Sequence, residues 1–291
     1  MSGRYSGLDA FLRQGKAALG KGPVAMVFCE DQTEVDTTLR HHIQCGFHCV
    51  IGFMSPHITL ASDVERRVHR VDYDLGADRA VPDAVNRVND AGLGTWMFWC
   101  YNAEYLFYPY CETRLIAEML TFHAEERRSA MLTYVIDLYP GSLTRFPNGV
   151  SLDDAWLDRS GYYAQARSDP ARHNHPHERQ LDFFGGLRWR YEEHIPEERR
   201  RIDRISIFRA KAGLKLRESH LFSDEEYNTY ACPWHNNLTA ALVSFRTAKA
   251  LKRNPGSSFD IDSFRWHNSV PFEWHSRQLL DLGLMEPGQW F

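Results

Sequence analysis

The sequence predicts an α/β fold with a mostly parallel central sheet flanked by helices, and three observations predict it. Short apolar runs alternate with segments of helical period, the stretches between runs are long enough for parallel crossovers, and the composition is that of a chain that buries a core. Of the 291 residues, 43% are hydrophobic and 25% are charged, which excludes disordered, collagen-like and coiled-coil classes. At this length one large domain and two small ones both stay open.

Along the chain, residues 8–19 carry apolar side chains at helical spacing, and Gly20, Gly22 and Pro23 stop that helix before the apolar run 24–29, the first core strand. Val35, Leu39 and Ile43 then repeat every four residues, so 35–44 reads as a helix with Gly46 as its terminator. With the β-forming run 48–53 this spells β-α-β. Residues 68–73 continue as a strand, 82–91 as a helix opening on Pro82, and 95–101 as a strongly apolar, aromatic strand. A helix over 112–127 and a buried strand over 131–139 follow. Residues 147–186 turn polar and rich in turn formers, which predicts an irregular lid or binding loop. Regularity returns at 202–209, and 238–252 mixes Leu, Ala, Val and Phe with basic residues as an amphipathic helix does. The organisation expected is an N-terminal helix (1–20), one α/β domain (21–255) with the 147–186 insertion, and an aromatic tail (256–291) packed on it.

With 34 basic and 38 acidic side chains the net charge is −4, so no overall field draws the protein to nucleic acid and any phosphate site must be local. No apolar run reaches the roughly 20 residues of a membrane helix, and the N-terminus lacks a signal-peptide core; a cytoplasmic protein is expected. The six cysteines include no CxxC pair and read as reduced, mostly buried thiols.

Chemistry concentrates where the 95–101 strand runs into Asn102-Ala103-Glu104-Tyr105, because in open α/β sheets ligands sit beyond the carboxyl ends of strands. A carboxylate there can hold a hard divalent cation together with phosphate oxygens; a plain strand-end cap is the competing reading. The run Val27-Phe28-Cys29-Glu30-Asp31, the helix through Leu39-Arg40-His41-His42, and Gly46-Phe47-His48-Cys49-Val50-Ile51 resemble the opening of the family-2-like glycosyltransferases. Asn102-Ala103-Glu104-Tyr105-Leu106 resembles their Asp-Ala-Asp-Glu-Phe segment, Ile207-Phe208-Arg209-Ala210-Lys211-Ala212-Gly213 with Ser219-His220 resembles their late strand and Ser-His pair, and 240–246 resembles their last helix. The likeness covers roughly residues 20–255. It implies the glycosyltransferase-A fold, related to the Rossmann fold, and transfer of a sugar from a nucleotide-diphosphate donor to a glycan, lipid-linked or small acceptor. By resemblance Asn102 and Glu104 stand where two metal-binding aspartates would be, with His220 completing a site for manganese or magnesium, and Glu30, Asp31 and Asn102 face the donor; among the aromatics around them, Tyr101 or Tyr105 can stack on the donor's base or sugar ring. The first aspartate is replaced by an amide, which removes one charge from the cation site.

Expulsion of a nucleotide diphosphate needs cations or a metal to stabilise the leaving charge. In the basic stretch 188–217, Arg209 and Lys211 are the candidates, the rest reading as a solvated face balanced by Glu192, Glu193, Glu197 and Glu198. A carboxylate must also take the proton of the acceptor hydroxyl; Glu192 and Asp137 are named for this, Asp182 and Glu193 being alternatives that spacing does not remove. Two other readings stay open: an inactive sugar-nucleotide-binding protein of the same fold, and a metal-dependent hydrolase built on His173, His175 and His177. A basic face touching anionic lipid on the inner side of a membrane is compatible with the sequence.

Overall fold

The structure is a computed structural model and describes residues 2–229 and 237–290. Its strands are β1 (Gly3–Tyr5), β2 (Val24–Cys29), β3 (Cys49–Met54), β4 (His69–Asp72), β5 (Trp96–Tyr101), β6 (Glu104–Phe107), β7 (Ala130–Asp137), β8 (Tyr139–Pro140), β9 (Ala155–Asp158), β10 (Tyr163–Asp169), β11 (His175–Phe184), β12 (Asp203–Arg209), β13 (Ala240–Ser244) and β14 (Ser269–Pro271). Nine of them form a mostly parallel sheet in the order β1-β4-β3-β2-β5-β12-β7-β13-β6. The α/β class expected from the sequence is therefore present. No helix among the described residues is long and apolar enough to cross a membrane.

The chain divides into two compact units. The first takes in Met1–Tyr105, Thr113–Leu132 and Ile205–Asn228. Its helices are α1 (Leu8–Gln14), α2 (Val35–Gln44), α3 (Ser62–Glu65), α4 (Ala80–Ala91) and α5 (Ile116–Glu125). Every residue of β2 and β3 is buried, as expected of parallel strands covered on both faces. In register, Val24 of β2 lies beside Cys49 on one side and Met97 of β5 on the other. Helix α2 buries Val35, Thr38, Leu39 and His42, a spacing of three and four that draws one stripe onto the sheet. The helix expected over 8–19 is broken at Gly15, where a Cβ would meet the Phe11 ring at 2.7 Å; α1 stops and a 3₁₀ turn, Lys16–Lys21, carries the chain on.

The second unit takes in Leu106–Glu112, Thr133–Arg204 and Thr229–Phe291, with α6 (Gly186–Arg190) and α7 (Arg246–Arg253) as its main helical segments at the site. Two expectations change here. The segment 238–252 is a fully buried strand, β13, followed by α7. β13 pairs in parallel with β7 from Ala240↔Thr133 to Ser244↔Asp137, and a short continuous apolar run of that kind has no periodicity to separate strand from helix. The supposed irregular loop at 147–186 contains β9 and a long antiparallel hairpin, β10 with β11. At its register shift it is held by buried Arg167, which reaches Asp182 at 2.7 Å, Asp203 at 2.8 Å and Gln180 at 3.0 Å. Cross-strand ion pairs of this kind let a polar sequence form strands without a hydrophobic face.

Cys29, Cys45, Cys49 and Cys100 are buried and Cys111 is partly buried. Cys232, with His235, lies outside the described residues.

Candidate functional site

In the first unit β2 sits between β3 and β5, so the chain winds outward from β2 in one direction and resumes on its other side. Outside the carboxyl ends of strands at such a reversal, here β2 and β5, is the crevice position at which doubly wound sheets bind ligands. Two loops meet there: Glu30 to Glu34 after β2, and Asn102-Ala103 after β5.

Asn102 joins them. Its backbone N–H donates to the Phe28 carbonyl at 3.0 Å, and its Oδ1 accepts the Glu30 N–H at 2.9 Å. Its Nδ2 lies 2.8 Å from the Thr33 carbonyl, 3.0 Å from Asp31 Oδ1 and 3.3 Å from the Asp31 carbonyl. Asp31 Oδ1 in turn accepts the Thr33 N–H at 2.8 Å. The side chain is fully buried. An aspartate could accept from Glu30 but could not donate to the other oxygens, so the amide is what this junction requires.

Below it, α2 is fastened to the same turn. The Ala103 N–H donates to Thr38 Oγ1 at 2.8 Å, and that hydroxyl donates to the Glu34 carbonyl. Glu104 is fully buried and its Oε2 accepts the Tyr101 N–H at 2.9 Å. Tyr105 meets Thr37 Oγ1 at 2.9 Å, and burial pushes its phenol well above the ordinary range. His42, also buried, donates from Nδ1 to the Thr38 carbonyl at 2.8 Å and faces Cys100 Sγ with Nε2 at 3.8 Å. Burial drives its pKa down to about 3, against the opposing pull of Glu104. Glu34 (φ 54) and Ala103 (φ 59) hold left-handed backbone on the two sides of the crevice. Strain at non-glycine residues of this kind concentrates at binding sites.

The sequence-predicted residues separate into those the fold gathers and those it does not. Glu30, Asp31, Tyr101 and Asn102 are gathered at the crevice. Arg209 and Lys211 are not: β12 runs antiparallel to β5 with Arg209 opposite Trp96, which carries both cations to the amino end of the strands. There Arg209 Nε donates to the Gly94 carbonyl at 3.0 Å and Lys211 Nζ to Asp224 at 2.7 Å. The proposed metal set is divided as well. Alternation along β5 sends Cys100 toward α2 and Trp99 to the opposite face, and His220 packs its ring on Trp99 at 5.0 Å, whereas Glu104 lies on the α2 side with His42. Asn102 Oδ1 and Glu104 Oε2 each accept a backbone N–H. As placed, Asn102, Glu104 and His220 do not fit a divalent cation, and no group of three or more His, Cys, Asp or Glu side chains among the described residues is arranged to hold a metal ion.

In the second unit Asp137 ends β7 and is 1% exposed. Its Oδ2 accepts the Arg188 N–H at 3.3 Å, and Arg188 Nε lies 3.5 Å from Oδ1. Burial raises the proton affinity of this carboxyl while Arg188 lowers it, the first effect being larger. Glu192 is exposed on a 3₁₀ turn and pairs with Arg200 at 3.8 Å, a solvated position that leaves Asp137 as the carboxylate with a shaped environment. His173 and His175 are exposed at the tip of the hairpin, and His177 lies 3.7 Å from Asp169; the three imidazoles do not converge, because the residues straddle a turn and a strand.

Sequence reasoning missed Asp158. It is buried, takes Arg190 Nε at 2.9 Å and Trp266 Nε1 at 2.8 Å, and accepts from the Tyr139 hydroxyl. The signal was available in Gly185-Gly186 followed by Arg188-x-Arg190: a bare backbone pair ahead of two guanidinium groups that need buried carboxylates. No protein-family model matches the chain, and no curated protein sequence matches it.

Proposed function

We propose that the chain is a glycosyltransferase with a glycosyltransferase-A-like fold, moving a sugar from a nucleotide-diphosphate donor to a glycan, lipid-linked or small acceptor. One observation carries this reading: the strand order reverses at β2 and β5, and Asn102 clamps the two loops of that crevice into one rigid floor. A prebuilt rim at a switch point is how an open α/β sheet receives a nucleotide. Glu30, Asp31 and Tyr101 supply polar and aromatic contacts there. The resemblance in sequence order points to the same place.

In this reading the acceptor O–H bond breaks as its oxygen forms a bond to the anomeric carbon, and the bond from that carbon to the phosphate oxygen breaks with its electron pair on the diphosphate. A carboxylate takes that proton; in the second unit Asp137 has the raised proton affinity that burial gives a general base. No step is routed through a metal.

Calorimetric titration of UDP and GDP, with and without manganese, tests the reading on wild type, Glu30→Ala and Asp31→Ala. Saturable binding of one nucleotide, weakened about tenfold or more in the variants, is the expected result. Absence of binding by any nucleoside diphosphate overturns it.

A further inference from the structure

At the amino end of β5, within the first unit, lies a cleft of about 460 Å³. Small-molecule sites commonly measure roughly 300–1,000 Å³. One side of the cleft is a face of α5, on which Ala117, Leu120 and Ala124 follow at spacings of three and four. Half-buried Trp96, the first residue of β5, lines it as well. Leu120 and the indole give apolar surface, and alanine at 117 and 124 leaves the room that longer side chains would fill.

Two side chains of opposite charge line the same cleft, Arg209 at the end of β12 and Glu125 in the last turn of α5. Neither makes an ion pair, with the other or with any other described residue. Arg209 is held in place all the same: its Nε donates to the Gly94 carbonyl at 3.0 Å and its backbone N–H to the Ser129 carbonyl at 2.7 Å. The two terminal nitrogens are left as a fork for a carboxylate, with part of the ordering cost already met by the fold. A simple anion there is repelled by Glu125 and by the negative end of α5, and a simple cation is repelled by Arg209. A molecule carrying both charges is attracted at each end, its ammonium toward Glu125 and its carboxylate toward Arg209. Both protein charges are exposed, so each contact adds only modest affinity. The apolar surface of Trp96 and Leu120 must supply the rest, which calls for an apolar side chain on the ligand.

We propose that this cleft is a binding site for a small zwitterion with an apolar side chain, an aromatic amino acid being its simplest member. Arg209 takes the carboxylate, Glu125 the ammonium, and Trp96 with Leu120 the side chain. The site stands at the opposite end of β5 from Asn102, and the inference does not rest on the transfer reading.

The test titrates L-phenylalanine, and L-leucyl-L-phenylalanine as a longer zwitterion, into the full chain by calorimetry, beside N-acetyl-L-phenylalanine and L-phenylalaninamide, which each lack one charge. At least one zwitterion is expected to saturate in the millimolar range, with both single-charge analogues about tenfold weaker or worse. Glu125→Gln and Arg209→Gln should each weaken the zwitterion several-fold. Ala117→Leu should abolish binding, since it fills the cleft from an exposed helix position where leucine is a good helix former, and its melting temperature should match wild type. Should Arg209→Gln melt early through loss of the Gly94 bond, Glu125→Gln and Ala117→Leu decide. Failure of both zwitterions to saturate overturns the site. Equal binding of the acetylated analogue makes it a plain anion site, equal binding of the amide a plain cation site, and either result overturns the zwitterion. Wild-type affinity in Ala117→Leu places binding elsewhere and overturns the assignment to this cleft.

Discussion

The side-chain amide of Asn102 holds the backbone of Glu30, accepting its N–H at 2.9 Å while the other end of the same amide donates to the Thr33 carbonyl at 2.8 Å. One side chain thus fixes both ends of the turn after β2. The amide is an architectural choice at this position.

Asn102→Asp should therefore destabilise the protein by about 2–4 kcal/mol, because a second carboxylate is forced beside Asp31 and the donors to two carbonyls are lost. Urea unfolding would read the loss. Calorimetry would show no new manganese-dependent nucleotide binding, and a gain of such binding would mean that a cation site was one charge away.

Arg209→Ala should leave nucleotide binding unchanged within twofold or so, because Arg209 pairs with the start of β5 and binds the Gly94 carbonyl. Titrating the same nucleotide into the variant checks the separation. A tenfold loss would return the cation to the phosphate side.

Stability should fall as the solution is acidified below about pH 6.5. His42 is held neutral with a pKa near 3, and His123, bonded through Nε2 to the Ala130 carbonyl, is pushed down to about 4 by burial. The unfolded chain takes up these protons at about 6.5, so the stability is fully present above that pH and is lost as pH falls toward the folded values. Each histidine contributes on the order of 1 kcal/mol per pH unit in that window. Urea midpoints between pH 7 and pH 5 measure the slope, and His42→Gln should flatten it.

Arg167→Met should cost about 3 kcal/mol by leaving buried Asp203 with only Arg201, 3.7 Å away, as its cation. Limited proteolysis should then cut within the β10–β11 hairpin faster than in wild type. An unchanged digestion pattern would show that Asp182 and Arg201, paired at 2.8 Å, suffice to hold it.

Gly186→Ala should lose about 1–3 kcal/mol, since φ is 64 there and the added methyl would press Asp137 from 3.0 Å. Thermal melting reads the cost.

What the sequence made legible follows from periodicity. Val24–Cys29, Val35–Gln44 and Cys49–Met54 sit within a residue or so of their expected places, because continuous burial and a 3.6-residue stripe are properties of a segment by itself. The end of β5 was placed for the same reason: the apolar strand ending at Tyr101 announces its own carboxyl end. Direction and partnership were not legible. Nothing in Arg209 or Lys211 records that β12 runs against β5, and nothing in Asn102 records that its acceptors come from the loop after β2. The hairpin at 163–184 was hidden because Arg167 and its carboxylates, rather than alternating apolar residues, hold it together.

The return of Ile205–Asn228 to the first unit has a consequence for synthesis. Ile207 pairs with Phe98, so at roughly 5–20 residues per second the ribosome leaves that side of β5 unpaired for several seconds. Through that interval the nascent chain carries an open, apolar edge of the kind that recruits other strands. A gene fragment ending before Ile205 would keep that edge permanently, and it should be recovered as inclusion bodies while the full-length chain stays in the supernatant.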